Sequence, residues 1–227
     1  MTSSPRWRRG ASTLAAVLAA LGVAAARLPA QGASTAPHDY TQADVHFVQG
    51  MIYHHAQAVV MSEWAPTHGA RPQLQTLCKR IALSQRDEIT TMQNWLRDRR
   101  LPIPDPLHML RHDHADSTPG QTHDSAGMAM PGMDMSDHPM TMPGMLTPEE
   151  MHRLDAAHGD AFDRLYLTGM IRHHQGALDM VATLFATPGA GQQSDLFALA
   201  TDVDAGQRAE IARMQAMLNT LTASQTK

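Results

Sequence analysis

The sequence predicts an all-α protein, a four-helix bundle made of two duplicated helical hairpins. Apolar residues recur with the 3.6-residue period of an α-helix over about residues 42–64, 72–99, 160–186 and 193–221. The segment 51–61 returns as 170–180, and the segment 85–93 returns as 207–215. Short turns rich in proline and glycine separate the two helices of each copy, so each copy is expected to be an antiparallel pair.

Residues that start helices support these boundaries. Thr41 is expected to cap the first long helix, with Asp44 three residues on. Asp160 and Asp163 have the same spacing, which predicts an acidic variant of this capping box at the third long helix. Thr147 is followed by proline and then glutamate, which predicts a further short helix before the third long one.

The N-terminus has the pattern of an export signal. Arginines precede an apolar run from Ala11 to Ala26, and small residues around Ala30 suit a cleavage site. Residues 1–30 are therefore predicted to be a signal peptide, with Sec export, twin-arginine export and an uncleaved anchor left open. The mature protein is expected to be periplasmic or secreted. Removing four arginines and no acid moves the formal charge from −4 to −8, which disfavours nucleic-acid binding.

The rest of the chain is expected to form one domain. Its parts are a first hairpin over 31–100, a linker over 101–146, and a short helix with the second hairpin over 147–227. The linker contains many Pro, Gly, Asp, His and Met residues but almost no branched aliphatic residue, which predicts flexibility without a bound ligand. Cys78 is the only cysteine, so no intrachain disulfide can form.

Each long helix carries a stripe of residues three and four apart that includes polar and thioether side chains. In the first copy these are Met51, His54 and Met61 on one helix, and Glu88 and Met92 on the next. Placing polar side chains inside a bundle reduces stability unless their polar atoms find a partner. A soft metal ion is the natural candidate for that partner. The second copy repeats the set as Met170, His173, Met180, Glu210 and Met214.

Two adjacent histidines follow a methionine in both copies, as His54-His55 and His173-His174. Neighbouring residues diverge by about 100° around a helix, so we interpret one histidine of each pair as a ligand or core residue. The other is expected at the surface or in a supporting position. A single helical histidine is more often structural, but the repeated pair favours metal. His54 and Met61 are about 10 Å apart along the axis, so more than one site is expected.

The linker is a second candidate for metal binding. Seven thioethers occur within eighteen residues and cannot form a core, because no aliphatic residues accompany them. Thioethers select Cu(I) and its chemical analogue Ag(I), whereas imidazoles suit Cu(II). A low-complexity segment without a function is the alternative. The candidate linker ligands are Met128, Met130, Met133, Met135, His138, Met140, Met142 and Met145.

The duplicated motif resembles the DUF305 family over about residues 40–222. The resemblance rests on two Met-x-x-His-His segments, each followed by a Gln-x-x-Glu-Ile-x-x-Met helix. It implies a ferritin-like four-helix bundle, typically exported, in a family with members that bind copper or silver and aid metal tolerance. By motif position it implies as ligands Met51, His54, His55, Met61, Glu88, Met92, Met170, His173, His174, Met180, Glu210 and Met214.

These observations predict an exported copper-binding protein rather than an enzyme. It would bind Cu(I), with Ag(I) or Cu(II) as further possibilities, for sequestration, tolerance or transfer. A copper exporter or a periplasmic metallochaperone would be the partner for transfer. One alternative is a ferritin-like di-iron oxidase, although the four long helices lack the Glu-x-x-His pairs of such sites. Another is a metal-free bundle that binds a partner protein.

Overall fold

Five α-helices and no strand make up the part of the chain that the structure describes. This computed structural model describes residues 39–107 and 142–223. The predicted signal peptide lies outside these residues, and the predicted domain boundaries remain a prediction. Within the two described ranges, no helix combines the length and apolar character needed to cross a bilayer. The helices are α1 Gln42–Glu63, α2 Pro72–Asp98, α3 Pro148–Asp155, α4 Asp160–Ala186 and α5 Ser194–Ala223.

The four long helices form the bundle that the duplicated sequence predicts. Helix α1 packs along α2, and α4 packs along α5, so each copy is an antiparallel hairpin. The hairpins meet through α1 and α4, and α3 packs on α4. One apolar cluster combines the first half of α1 and α5 with the second half of α2 and α4. A second cluster occupies the opposite ends of the same helices.

Two of the three predicted helix starts are confirmed. Thr41 accepts a hydrogen bond from the backbone N–H of Asp44, and the Asp44 carboxylate accepts one from the backbone N–H of Thr41. Thr147 forms the same reciprocal box at the start of α3. The predicted cap at Asp160 is wrong, because Asp160 is already the first residue of α4 and Gly159 takes the cap position without a side-chain hydrogen bond.

Asp44 and Asp163 connect each hairpin to the turn of the other hairpin. Asp44 Oδ1 accepts a hydrogen bond of 2.6 Å from the backbone N–H of Gly191, in the turn before α5. Asp163 accepts one of 3.3 Å from the backbone N–H of Arg71, in the turn before α2. Both aspartates are 1% exposed, and burial raises the pKa of Asp163. These two buried aspartates, which occupy equivalent positions in the two copies, therefore also join the hairpins to each other.

The end of the predicted flexible linker is bound to the bundle. We call residues 142–147 the strap. Gln57 donates from Nε2 to Leu146 O at 3.0 Å and accepts from Leu146 N at 2.8 Å. Gly144 has φ of +77° and crosses Gly176 so closely that a Cβ on Gly176 would lie 1.8 Å from Pro143 O. These contacts satisfy the strap backbone without a ligand, which differs from the flexibility expected for the whole linker.

Candidate metal centre

The two hairpins bring four histidines together at the contact between α1 and α4. The rings of His54 and His173 lie across this contact with centroids 3.8 Å apart and a 39° angle between their planes. The neighbours His55 and His174 lie 6.4 and 6.2 Å from the first two rings. All four histidines are 0% exposed, which excludes the surface alternative for the second histidine of each pair and leaves the supporting position. Both are buried because the inner histidine faces the other hairpin while its neighbour faces the second helix of its own hairpin.

The outer histidines are each held by a glutamate. His55 Nε2 lies 2.5 Å from Glu88 Oε2, and His174 Nε2 lies 2.7 Å from Glu210 Oε2. In the neutral ring, an Nε2–H that donates to a carboxylate leaves Nδ1 with a free lone pair. Metal-binding histidines are commonly oriented by this kind of carboxylate contact. Each glutamate therefore contacts the Nε2 side of one imidazole, and its predicted role as a ligand stays a prediction.

The inner histidines are neutral and enclosed. His54 donates from Nε2 to Pro143 O of the strap at 3.0 Å, which again leaves Nδ1 with a lone pair. Burial, with the charge of His55 as the next cause, lowers the pKa of His54 to about 3. Burial also lowers the pKa of His173 well below its usual range, and His54 adds to that effect. Both rings are consequently unprotonated at neutral pH and can offer lone pairs to a metal ion.

Several polar atoms at this centre have no hydrogen-bond partner among the residues described. They include Nδ1 of all four histidines and Nε2 of His173. Gln85 and Gln207, at equivalent positions one turn before the glutamates, are also buried with unpaired amide atoms. A buried polar group without a partner costs about 1–3 kcal/mol. Unpaired imidazole nitrogens are donors of the type that copper accepts, so the chemistry of these side chains, taken singly, fits such a metal.

Family comparison agrees with the duplicated motif and the bundle. Residues 44–218 match the family described as Domain of unknown function (DUF305). The chain belongs to the DUF305 family. A DUF305 fragment from Deinococcus radiodurans is 25% identical, with a TM-score of 0.59 over 80% of this chain and 98% of that one. A DUF305 protein from Streptomyces coelicolor is 24% identical, with a TM-score of 0.60 over 81% and 95%.

The DUF305 chain also shares its fold with CopM. CopM in the Cu(I)-bound form is 24% identical, with a TM-score of 0.53 over 78% of this chain and 96% of that one. The Cu(II)-bound form of CopM gives a TM-score of 0.54. Among curated proteins, uncharacterized protein L153 of Acanthamoeba polyphaga mimivirus is 36% identical over 58 residues. The match spans 26% of this chain and 38% of that relative.

The methionines predicted as ligands lie partly in the apolar core and partly at half-buried positions. Most are 0% exposed within the two apolar clusters: Met51 and Met92 in the first, Met61, Met170 and Met214 in the second. Met180 is half-buried at the edge of the first cluster, and Met142 and Met145 lie half-buried in the strap. The other linker candidates lie outside the described residues: Met128, Met130, Met133, Met135, His138 and Met140.

In the described part of the chain, neither the histidines nor the carboxylates of this centre form a preassembled metal cage. Within residues 39–107 and 142–223, no three His, Cys, Asp or Glu side chains converge in an arrangement ready to hold a metal ion. Glu88 and Glu210 each contact one histidine instead of sharing a point. Met51 and Met170 lie one helical turn before His54 and His173, so thioethers are the nearest soft donors along each helix. Binding of an ion by these imidazoles and thioethers stays a prediction.

Sequence reasoning missed the residues that cover this centre. Gln57 and Gly176 occupy equivalent positions in the two copies, yet one binds the strap backbone and the other lets it approach. The sequence did show that these matched positions differ. A glycine in one copy indicates a close approach of another segment, and a glutamine in the other copy can form hydrogen bonds. The contact of Pro143 with His54 could not be predicted from the sequence, because the backbone carbonyl that forms it is present in every residue.

Proposed function

We propose that this DUF305 chain is an exported copper-binding protein that takes up Cu(I) for sequestration, tolerance or transfer. Ag(I) would bind as an analogue of Cu(I), and Cu(II) as the second oxidation state. The observation that carries the proposal is the set of four fully buried imidazoles whose Nδ1 atoms have no partner among the described residues. The ion is cargo, so the proposed role includes no catalytic step.

The chemistry of the centre supports copper over harder ions. Imidazole suits copper, and thioethers select its Cu(I) state. The glutamate contacts of His55 and His174 hold these rings in one tautomer and orientation before an ion arrives, which favours binding. CopM, which has this fold, has been described in Cu(I)-bound, Cu(II)-bound and Ag-bound forms.

Export and transfer are further parts of this proposal. The N-terminal pattern predicts passage out of the cytoplasm, and thioethers remain competent ligands in compartments where thiols are oxidised. Delivery of the ion would use a copper exporter or a periplasmic metallochaperone. Sequestration alone would need no partner protein.

The decisive experiment is an anaerobic Cu(I) competition titration of residues 31–227. The parent is compared with His173→Leu and with a variant whose five methionines at 128–140 are changed to serine while the strap stays intact. The linker variant should retain the tightest site, whereas His173→Leu should weaken that site at least tenfold. Equal Cu(I) affinity of His173→Leu and the parent would overturn the histidine centre.

The same variants separate copper binding from a metal-free role. Leucine removes two unpaired ring nitrogens of His173 from the interior, so metal-free His173→Leu should be more stable by about 1–3 kcal/mol. A bundle that only binds a protein partner would show an unchanged melting temperature with saturating copper. A di-iron oxidase would show oxygen-dependent oxidation of added iron.

A further inference from the structure

Two thioethers from distant parts of the chain face one spot on α1. A Cβ built on Gly50 would lie 3.4 Å from Cε of Met180 and 3.5 Å from Sδ of Met142. Gly50 has no side chain, so both methionine side chains can approach the helix backbone here. The spot lies one helical turn before His54 but belongs to the half-buried edge of the bundle.

Met142 is held in this place by the strap. The next residue, Pro143, accepts the hydrogen bond from His54, and the backbone N–H of Met145 donates to Met142 O at 3.2 Å. The close crossing of Gly144 and Gly176 fixes the strap against α4. The linker thus contributes one thioether at a defined position, beside a thioether that belongs to the bundle.

The equivalent position in the other copy lacks this pair. Gly169 corresponds to Gly50, but the three atoms nearest to a Cβ on Gly169 would all belong to Leu146, the first of them at 3.2 Å. Met61 corresponds to Met180, yet Met61 is 0% exposed in the apolar core. Duplication and core packing alone therefore do not explain why Met180 lies half-buried beside the strap.

We propose that Met142 and Met180 form a soft-metal site for Cu(I) or Ag(I), separate from the histidine centre. The inference rests on the proposed function and adds to it a site shared by the linker and the bundle. Thioether sulfurs are soft donors, and the flexible methionine side chain lets both sulfurs turn toward one ion above Gly50. Thioethers do not protonate in the ordinary pH range, so binding here requires no change in protonation.

Silver titration followed by NMR of carbon-13 methionine methyls tests this site in residues 31–227. The Met142 and Met180 methyl signals should shift together at the same Ag(I) concentration, at about pH 5 as at about pH 7. Met142→Leu should weaken the Ag(I) response of the Met180 methyl at least tenfold, and Met180→Leu should do the same to Met142. Met217→Leu, at a half-buried methionine of α5 that is not a candidate ligand, is the matched control and should leave both responses unchanged.

A second pair of variants tests the position of Gly50 beside Met142 and Met180 without removing a thioether. Gly50→Ala adds a methyl at ordinary contact distance from both methionines and removes a helix-interior glycine, so it should fold at least as stably as the parent. It should weaken the joint Met142 and Met180 response about tenfold. Gly169→Ala, at the equivalent position, should not.

The outcomes distinguish this site from the histidine centre. Unchanged Ag(I) affinity of Met180 in Met142→Leu would overturn the shared site. Shifts of the histidine signals without any shift of these two methyls would overturn it while leaving the proposed function intact. Shifts of the two methyls without any histidine response to Ag(I) or Cu(I) would support this site and overturn the histidine centre. No response of either set would overturn both.

Discussion

The two hairpins carry the same motif but have different contacts. His54 donates to the strap, whereas His173 at the equivalent position has no ring partner in the described part of the chain. Gln57 binds the strap backbone, and its equivalent Gly176 allows the backbone to pass. The difference arises because one connecting segment can cross a two-fold repeated bundle only once. The strap therefore needs a hydrogen-bonding side chain on one copy and a residue without a side chain on the other.

What the hairpins share is the histidine centre. Each copy contributes one inner histidine and one outer histidine with its glutamate, at 2.5 Å in one copy and 2.7 Å in the other. The proposed Met142 and Met180 site, by contrast, exists because the copies differ.

Acid should destabilise the metal-free protein through the inner histidines of both hairpins. The pKa of His54 is lowered to about 3 and that of His173 also lies well below its usual range, while the unfolded chain takes up these protons near pH 6.5. The native state binds fewer protons between these values, so stability falls as pH drops below about 6.5 and continues to fall toward about 3. The expected loss is about 2 kcal/mol for each histidine by about pH 5.

Urea unfolding at several pH values measures this effect. His173→Leu should show about half of the parent's loss between pH 7 and 5, because one of the two buried rings is gone. His46→Gln, on the exposed face of α1, is the control and should follow the parent. A parent protein with constant stability over this interval would contradict the neutral imidazole pair.

Removing the carboxylate of Asp44 should weaken the connection between the hairpins. Asp44→Ala loses both the capping box of α1 and the bond from Gly191, so we expect a loss of about 3 kcal/mol in the free energy of unfolding. Asp163→Ala loses only its bonds from Arg71, at longer distances, and should lose about half as much. Equal losses in urea unfolding would show that the cap contributes nothing to the difference.

Gly176→Ala should disturb the strap on the second hairpin. Its Cβ would lie 1.8 Å from Pro143 O, and overpacking of this kind costs about 1–3 kcal/mol. Gly206→Ala in α5 is the matched control, since its Cβ meets nothing within 4 Å and the change should stabilise the helix by about 1 kcal/mol. Thermal unfolding should give opposite signs for the two variants, and stabilisation by both would contradict the close crossing.

Gln57→Ala should loosen the strap on the first hairpin by a smaller amount. The change leaves the buried backbone N–H and C=O of Leu146 without their partner, at a cost of about 1–2 kcal/mol. Amide exchange of Leu146 should accelerate, whereas the exposed Gln175→Ala should alter neither exchange nor stability. Unchanged protection of Leu146 in Gln57→Ala would mean that the hydrogen bonds do not hold the strap.

The helices, the duplication and the four central histidines can all be predicted from the sequence alone. These features are local: apolar periodicity, the capping residues Thr41 and Thr147, and repeated segments are all visible along one chain. The inward stripes were also readable, and Asp44, Met51 and His54 are buried as that pattern indicates. The capping role of Asp160 was wrong because capping depends on where the chain turns into the helix, and Gly159 makes that turn.

Which of these side chains meet depends on the packing of the helices in three dimensions. The contact of His54 with His173 depends on how two hairpins pack, and the roles of Glu88 and Glu210 depend on which histidine each one reaches. The strap depends on Gln57 meeting Leu146 across 89 positions, a pairing that no local pattern encodes. Periodicity shows which face of a helix is buried, whereas the neighbour of that face is set by packing between helices.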